Sequence, residues 1–149
     1  MRVRLLVLTV LTALHAGLLV ESTTADPSSS VADLTVTIRP SPFGRVLFDG
    51  SDRALYAFTR DPRGRSACYG ACATAWPPYI VTGTLRAGPG TQRSLLGTTR
   101  RRDGKQQLTY AGKPLYYYVG DPVGQIRCQN VREFGGLWLV VEPGGALVR

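Results

Sequence analysis

Histidine is nearly missing from this chain. Its 149 residues include one, His15, placed in the apolar N-terminal stretch. Beyond that stretch there is no imidazole. This excludes His-based general acid–base chemistry, Ser-His and Cys-His nucleophile pairs, and the commonest zinc and copper ligand. Acid is also scarce, with 10 Asp and Glu against 18 Lys and Arg and a net charge of +8. No nucleophile motif and no Gly-rich phosphate loop occurs. The one long apolar run, Leu5 to Val20, is interrupted by Thr9, Thr12 and His15. A bilayer span needs about 20 apolar residues, so this run is short for one.

The layout around that run is that of a secretory signal peptide over residues 1–25. Arg2 and Arg4 precede it, and Thr23 and Ala25 supply small residues at the −3 and −1 positions before Asp26. No Cys stands directly after the run, so the exported chain has no lipobox thiol for acylation. The expectation is a freely exported protein, secreted or held in the cell envelope. Without Arg2, Arg4 and Glu21 the 18 basic residues become 16 and the 10 acidic ones become 9, leaving +7. Such a protein associates with anionic cell-envelope polymer or lipid headgroups, or with another exported protein. Nucleic acid is not expected as a partner, because the basic residues are scattered over loops without a binding motif. The run Arg100-Arg101-Arg102 reads as a solvated turn. No cofactor is implied. About 124 residues remain, enough for one small core.

The chain is organised around an internal repeat, the feature that fixes architecture first. Leu55-Tyr56-Ala57-Phe58-Thr59-Arg60-Asp61-Pro62-Arg63-Gly64 returns sixty residues later as Leu115-Tyr116-Tyr117-Tyr118-Val119-Gly120-Asp121-Pro122-Val123-Gly124. The register holds to Cys68 and Cys128, then drifts by two to Trp76 and Trp138.

Read in order, residues 26–33 form a flexible leader. Leu34 to Ile38 alternates apolar and hydroxyl residues, as a half-buried strand does, and Pro40-Ser41-Pro42 ends it. Arg45 to Asp49 and Ala54 to Thr59 form a hairpin across the turn 49–52. Ser66 caps a short helix over Ala67 to Trp76, stopped by Pro77-Pro78. Tyr79 to Val81 is a short strand and the rest of 79–94 is loop. Leu95 to Thr99 and Gln106 to Tyr110 are strands, with a charged turn at 100–104. Residues 111–114 turn the chain into Leu115 to Val119, the second hairpin. Residues 125–136 are loop, and Leu137 to Val141 is a strand buried on both faces. The fold class is therefore mainly β. It is one small domain over 34–145, made of two pseudo-repeated antiparallel β-hairpins (about 44–78 and 104–142) plus a short helix at the Cys-x-x-x-Cys segment.

Side chains alternate along a strand. Tyr56 and Phe58 share a face, as do Tyr116 and Tyr118, with Leu55, Ala57, Leu115 and Tyr117 opposite. A lone hairpin is marginal in water, so the two are expected to meet face to face and bury each other's rings. Asp61 and Asp121 have a local purpose, accepting backbone N–H groups of the turns that follow. A sharper reading gives them a cation or ligand.

The residues that carry the repeat also carry a resemblance. Tyr56-Ala57-Phe58-Thr59-Arg60-Asp61, then Cys68-Tyr69-Gly70-Ala71-Cys72-Ala73, then Trp76-Pro77-Pro78 resembles the bacterial secreted-repeat family, often called predicted lipoproteins with a Yx(FWY)xxD motif. The second copy matches through Leu115 to Asp121 and Gly135-Gly136-Leu137-Trp138. The resemblance covers roughly residues 44 to 144. It implies export and no established molecular function. The chain departs from that pattern in lacking a lipid-accepting Cys, so tethering does not carry over. Cys128 is additional to the Cys pair the resemblance implies.

Three Cys in an exported chain leave one spare thiol or an intermolecular bond. Cys68 and Cys72, four apart, come within disulfide range if helical. A bridge from Cys128 to Cys68 or Cys72 would close a far longer loop and stabilise more. Both pairings stand open on the sequence. Three functional classes follow. The first is an exported non-enzymatic surface or binding module, with Tyr56, Phe58, Trp76, Tyr116, Tyr118 and Trp138 as its aromatic framework. The alternative is a thiol redox or soft-metal (copper) protein using Cys68, Cys72 and Cys128. The third is a glycan hydrolase using Asp61 with Asp121.

Overall fold

In the computed structural model, residues 34–149 are described. The signal peptide and leader expected over 1–33 lie outside the described residues. Nine strands and one short helix follow in order. They are β1 (Leu34–Ser41), β2 (Gly44–Asp49), β3 (Tyr56–Phe58), α1 (Ala71–Ala75), β4 (Leu85–Ala87), β5 (Leu96–Arg100), β6 (Gln106–Tyr110), β7 (Lys113–Pro114), β8 (Val131–Glu133) and β9 (Gly136–Val140). They form three three-stranded sheets, ordered β2-β1-β4, β3-β9-β8 and β5-β6-β7. The fold is mainly β, as the alternation in the sequence predicts. All pairings are antiparallel except β1 with β4.

Several local expectations are corrected. β1 runs through Pro40 to Ser41 instead of stopping at Ile38, because Pro40 pairs with Arg45 at the end of the ladder, where a lost donor matters least. The main partner of β2 is therefore β1. Its pairing with the segment after the 49–52 turn is reduced to a bridge at Phe48–Ala54 and a Leu55 N–H to Leu47 carbonyl bond of 3.1 Å. The second hairpin turns earlier than expected, at Ala111-Gly112, with both residues at positive φ (49° and 74°), so Lys113 and Pro114 already pair with Tyr110 and Thr109. Residues 125–136 hold β8, paired with β9 around Phe134-Gly135, where a loop is expected. The helix starts at Ala71, after Gly70 at φ 56°, and Ser66 does not cap it.

Alternation divides the core into two clusters, as the sequence implies. One holds Tyr56, Phe58, Trp76, Tyr116 and Trp138 with Val46, Phe48, Val140, Cys68 and Cys72. The other holds Leu47, Leu55, Ala57, Leu108, Tyr110, Leu115, Tyr79 and Val141 with Val36 and Ile38. The two repeat arms do not stack face to face. They join edge to edge, by reciprocal backbone bonds between Tyr56 and Tyr116, each N–H to the other's carbonyl at 2.9 Å. Their aromatic sides therefore point the same way.

The pseudo-symmetry extends outward from that pair. Leu55 donates to the Leu47 carbonyl and Leu115 to that of Leu108, at 3.1 and 2.9 Å. Leu47 in turn donates to Val141 and Leu108 to Tyr79, at 2.9 and 2.8 Å. Tyr79 and Val141 are each three residues beyond a repeat Trp. The short segment after Pro77-Pro78 thus stands where the end of β9 stands in the other copy. Leu115 is fully buried at this junction. Leu115→Ala is expected to cost roughly 3 kcal/mol in urea unfolding, whereas Val123→Ser, on a side chain 65% exposed, shifts stability by less than about 0.5 kcal/mol. Equal midpoints for the two variants would contradict this core assignment.

Candidate functional site

The motif acids of the two copies cross over. The Tyr56 hydroxyl donates to Asp121 Oδ2 at 2.5 Å, and the Tyr116 hydroxyl donates to Asp61 Oδ2 at 2.7 Å. The other oxygen of each carboxylate serves its own turn. Asp61 Oδ1 accepts from the Ala67 N–H at 2.7 Å and Asp121 Oδ1 from the Arg127 N–H at 3.0 Å, at equivalent positions. Each acid thus pins its own loop and satisfies the buried phenol of the opposite copy. The turn role was legible in the sequence. The crossing was not, because it requires the two copies to lie edge to edge.

Burial raises the Tyr56 phenol far beyond its ordinary value, with the hydrogen bond to Asp121 and that carboxylate's charge adding to it. Burial raises Tyr116 similarly, next to the charge of Asp61. Both phenols stay protonated and keep donating. Burial also pushes Asp61 up to about 6, against the pull of the Ala67 N–H, the Tyr116 hydroxyl and the Arg101 charge.

The rings stack through the pseudo-axis. Trp76 and Trp138 lie parallel at 4.0 Å and 4°. Phe58 stacks on the outer face of Trp138 at 4.2 Å, and Tyr118 lies against Trp76 at 4.7 Å. Each Trp also takes the Tyr of its own copy edge-on, Tyr56 on Trp76 and Tyr116 on Trp138, both at 5.2 Å. All six aromatic motif residues are therefore brought together, and all but half-buried Tyr118 are buried. The stack is part of the core and offers no open aromatic face of the kind a ligand platform needs. Trp76 Nε1 donates to Glu133 Oε2 at 2.8 Å, while Trp138 Nε1 is buried without a partner among the described residues. Glu133 was missed from the sequence because β8 was read as loop.

Cys68 and Cys72 form the disulfide, with Cα atoms 5.3 Å apart, and Cys128 is free and half-buried. Cys128 stands where Cys68 stands in the first copy but has no counterpart to Cys72. Burial pushes its thiol up, as do the Asp121 and Glu133 charges, against a hydrogen bond from Tyr118. A raised thiol is a poor nucleophile and a poor soft-metal ligand. The disulfide also removes two of the three thiolates of the copper alternative. No group of three or more His, Cys, Asp or Glu is placed to hold a metal among the described residues.

The basic run at 100–102 is split. Arg101 is 4% exposed, against the expectation of a solvated turn. Its guanidinium donates to Ser66 Oγ at 2.8 Å, Gln107 Oε1 at 2.7 Å and the Cys68 carbonyl at 2.8 Å, and lies 4.4 Å over the Tyr69 ring. The Ser66 hydroxyl also donates to the Tyr116 phenol oxygen at 2.8 Å, that phenol's one proton being given to Asp61. Arg101 is a structural cation that ties the first-copy loop to β6. Nothing in three consecutive arginines marks the middle one as buried.

Two clefts border the first-copy turn. One, of about 330 Å³, is lined by Asp61, Arg63, Lys113 and Arg149 among others. The other, of about 440 Å³, is lined by Pro62, Arg65, Ser66, Ala67, Tyr69, Arg100 and Arg102. The equivalent second-copy turn presents Val119 and Val123 instead, 59% and 65% exposed. The repeats are alike in the core and unlike at their tips.

Asp61 gains a raised folded value, so its stabilising contribution is full below the unfolded value near pH 4 and is lost as pH rises through about 6. The melting-temperature advantage of wild type over Asp61→Asn should therefore shrink from pH 4 to pH 7, and an advantage that grows would refute the assignment. Thiol titration of the unreduced, denatured protein should find one reactive group, Cys128. Breaking the small Cys68–Cys72 loop by Cys72→Ser should cost about 2 kcal/mol in the chain-entropy account.

Comparison with known proteins places this geometry in context. Residues 38–79 and 97–142 each match one family, described as a secreted repeat of unknown function. The matched segments begin earlier than the repeats read from the motif. They take in the end of β1 in the first copy and β5 in the second, the strands that pair with β2 and β6. No curated protein and no solved structure matches the chain. With two repeats covering more than half of its length, the chain belongs to the family of secreted repeats of unknown function.

Proposed function

We propose that this protein is an exported, non-enzymatic binding module whose basic face takes anionic polymer of the cell envelope. The observation that carries the reading is the charge on the first-copy edge. Arg63, Arg65, Arg100, Arg102 and Lys113 surround one turn, and among the described residues none has a carboxylate in ion-pair range. Unpaired cations gathered on one side of a protein attract polyanions through a field that salt screens. Exported location is supported by the family description and by the signal layout of residues 1–25.

The non-enzymatic part is supported by what the reactive groups already do. Asp61 and Asp121 each accept from a backbone N–H and from a buried phenol. Cys68 and Cys72 are joined to each other. Both repeat tips are mounted on a core closed by these bonds, which is how a rigid scaffold presents binding loops.

Co-sedimentation with envelope fragments of the producing organism tests this reading. The protein should pellet with them at low ionic strength and be released by about 0.5 M salt, where the screening length falls to a few ångström. The fragments should be recovered chemically unchanged. Failure to pellet at low salt would overturn the binding role, and time-dependent release of soluble fragments would overturn the non-enzymatic one.

A further inference from the structure

We infer that the cleft formed by Arg65, Arg100, Arg102 and Tyr69 is a phosphate site, and that the anionic envelope component this module holds carries phosphodiester groups. This rests on the binding-module reading above and gives it a site and a ligand chemistry.

The cleft has three guanidinium groups and no carboxylate in its lining. Its neighbour across the turn contains Asp61. The nearest acid of the 100–104 turn, Asp103, is engaged by Arg101 Nε at 3.5 Å and by the Lys105 N–H at 3.1 Å, so Arg100 and Arg102 are left without it. Arg65, Arg100 and Arg102 are exposed and have no carboxylate in ion-pair range within the described residues, and Arg102 lies against the neutral Tyr69 side chain. Their charge is available to a ligand.

The floor of the cleft is built and not merely crowded. Tyr69 lies against two cations, with the guanidinium of Arg102 at 4.0 Å and that of Arg101 at 4.4 Å from its ring. Its hydroxyl oxygen accepts the Arg102 backbone N–H at 3.1 Å, which leaves the hydroxyl proton to donate. Burial works to raise this phenol, yet the Arg102 hydrogen bonds and the Arg101 charge hold it below its ordinary value, as a positive potential requires. Arg101, nearly buried, fixes Ser66 and the Cys68 carbonyl below, and the disulfide fixes Cys68.

The chemistry of the donors favours phosphate over carboxylate. Three guanidinium forks and a phenol hydroxyl offer more N–H and O–H donors than the two coplanar oxygens of one carboxylate accept. A tetrahedral phosphate presents its oxygens out of one plane and can meet donors arriving from several sides. Pro62, Ala67 and the Tyr69 ring supply an apolar wall against which the carbon unit linking two phosphates can lie. A phosphodiester of this kind occurs in a wall polymer and in a lipid headgroup, and the cleft chemistry is the same for both.

The test measures binding of inorganic polyphosphate, of poly-glutamate of matched charge, and of vesicles of phosphatidylglycerol with phosphatidylcholine. Each is titrated against wild type, the cleft variant Arg65→Ala/Arg102→Ala, and Arg63→Ala/Lys113→Ala, which removes equal charge from the neighbouring cleft. Wild type should bind polyphosphate about tenfold tighter than poly-glutamate. The cleft variant should lose that preference, and its plot of log affinity against log salt should flatten by about two. The Arg63/Lys113 variant should weaken both polymers alike and keep the preference. All three should melt at the same temperature, since none of the four side chains is buried. Cleft-dependent binding of vesicles alone would name the headgroup as the source, and of polyphosphate alone a free polymer. Equal affinity of wild type for the two polymers, or equal loss of preference in both variants, would overturn the phosphate site while leaving a binding module that still pellets with envelope. If wild type binds neither polymer, vesicle nor envelope, the site and the module reading fall together.

Discussion

Everything in this fold depends on the short antiparallel contact between Tyr56 and Tyr116. Two backbone hydrogen bonds join the copies there, and both residues are fully buried. A pair of bonds is a weak joint by itself, since each net bond contributes only about 1 kcal/mol. What makes it a joint is that both phenols end on the opposite copy's carboxylate, which is itself tied to the next turn. Separating the copies would strand two buried phenols and two carboxylates together. The repeat motif Tyr-x-aromatic-x-x-Asp is thus one half of a reciprocal clasp, and it works only in duplicate.

The aromatic stack closes the same axis from one side. Phe58, Trp138, Trp76 and Tyr118 alternate between copies along the stack, so each ring is gripped by the other repeat. The symmetry breaks just outside it. In the first copy the chain after the Cys is a five-residue helix locked by Cys68–Cys72, while in the second it is the β8–β9 hairpin. β8 brings Glu133 to the Trp76 indole, while among the described residues Trp138 Nε1 has no such partner. The free Cys128 belongs to the same break, as a Cys68 equivalent whose partner position was given over to a strand.

Duplication with a shared core frees the two tips to differ. The first turn gathers Arg63 and Arg65 beside Arg100, Arg102 and Lys113, and the second exposes Val119 and Val123. Arg101 links the core to the first tip. It is a buried cation satisfied by Ser66, Gln107 and the Cys68 carbonyl, and the Ser66 hydroxyl donates in turn to the Tyr116 phenol oxygen of the clasp. The loop that carries the surface charge is therefore anchored to the buried clasp. A rigid mount of this sort reduces the ordering cost of holding a ligand.

The mainly β class, the two-fold repeat and the split of each arm into an aromatic and an aliphatic side were all legible in the sequence. They are set by alternation and by local turn chemistry, which act over a few residues and leave a pattern in the chain. Asp61 and Asp121 as turn acids belong to the same group. The tertiary structure decided how the arms meet, which acid serves which phenol, which of three cysteines stays free, and which of three arginines is buried. The way the arms meet and the crossing of acids and phenols depend on groups about sixty residues apart approaching one another, and the burial of Arg101 depends on a loop 35 residues away. No local preference encodes such an approach, because the alternation that makes an aromatic side does not say which element covers it. Edge-to-edge pairing prevails because it alone satisfies the backbone groups and the phenols together.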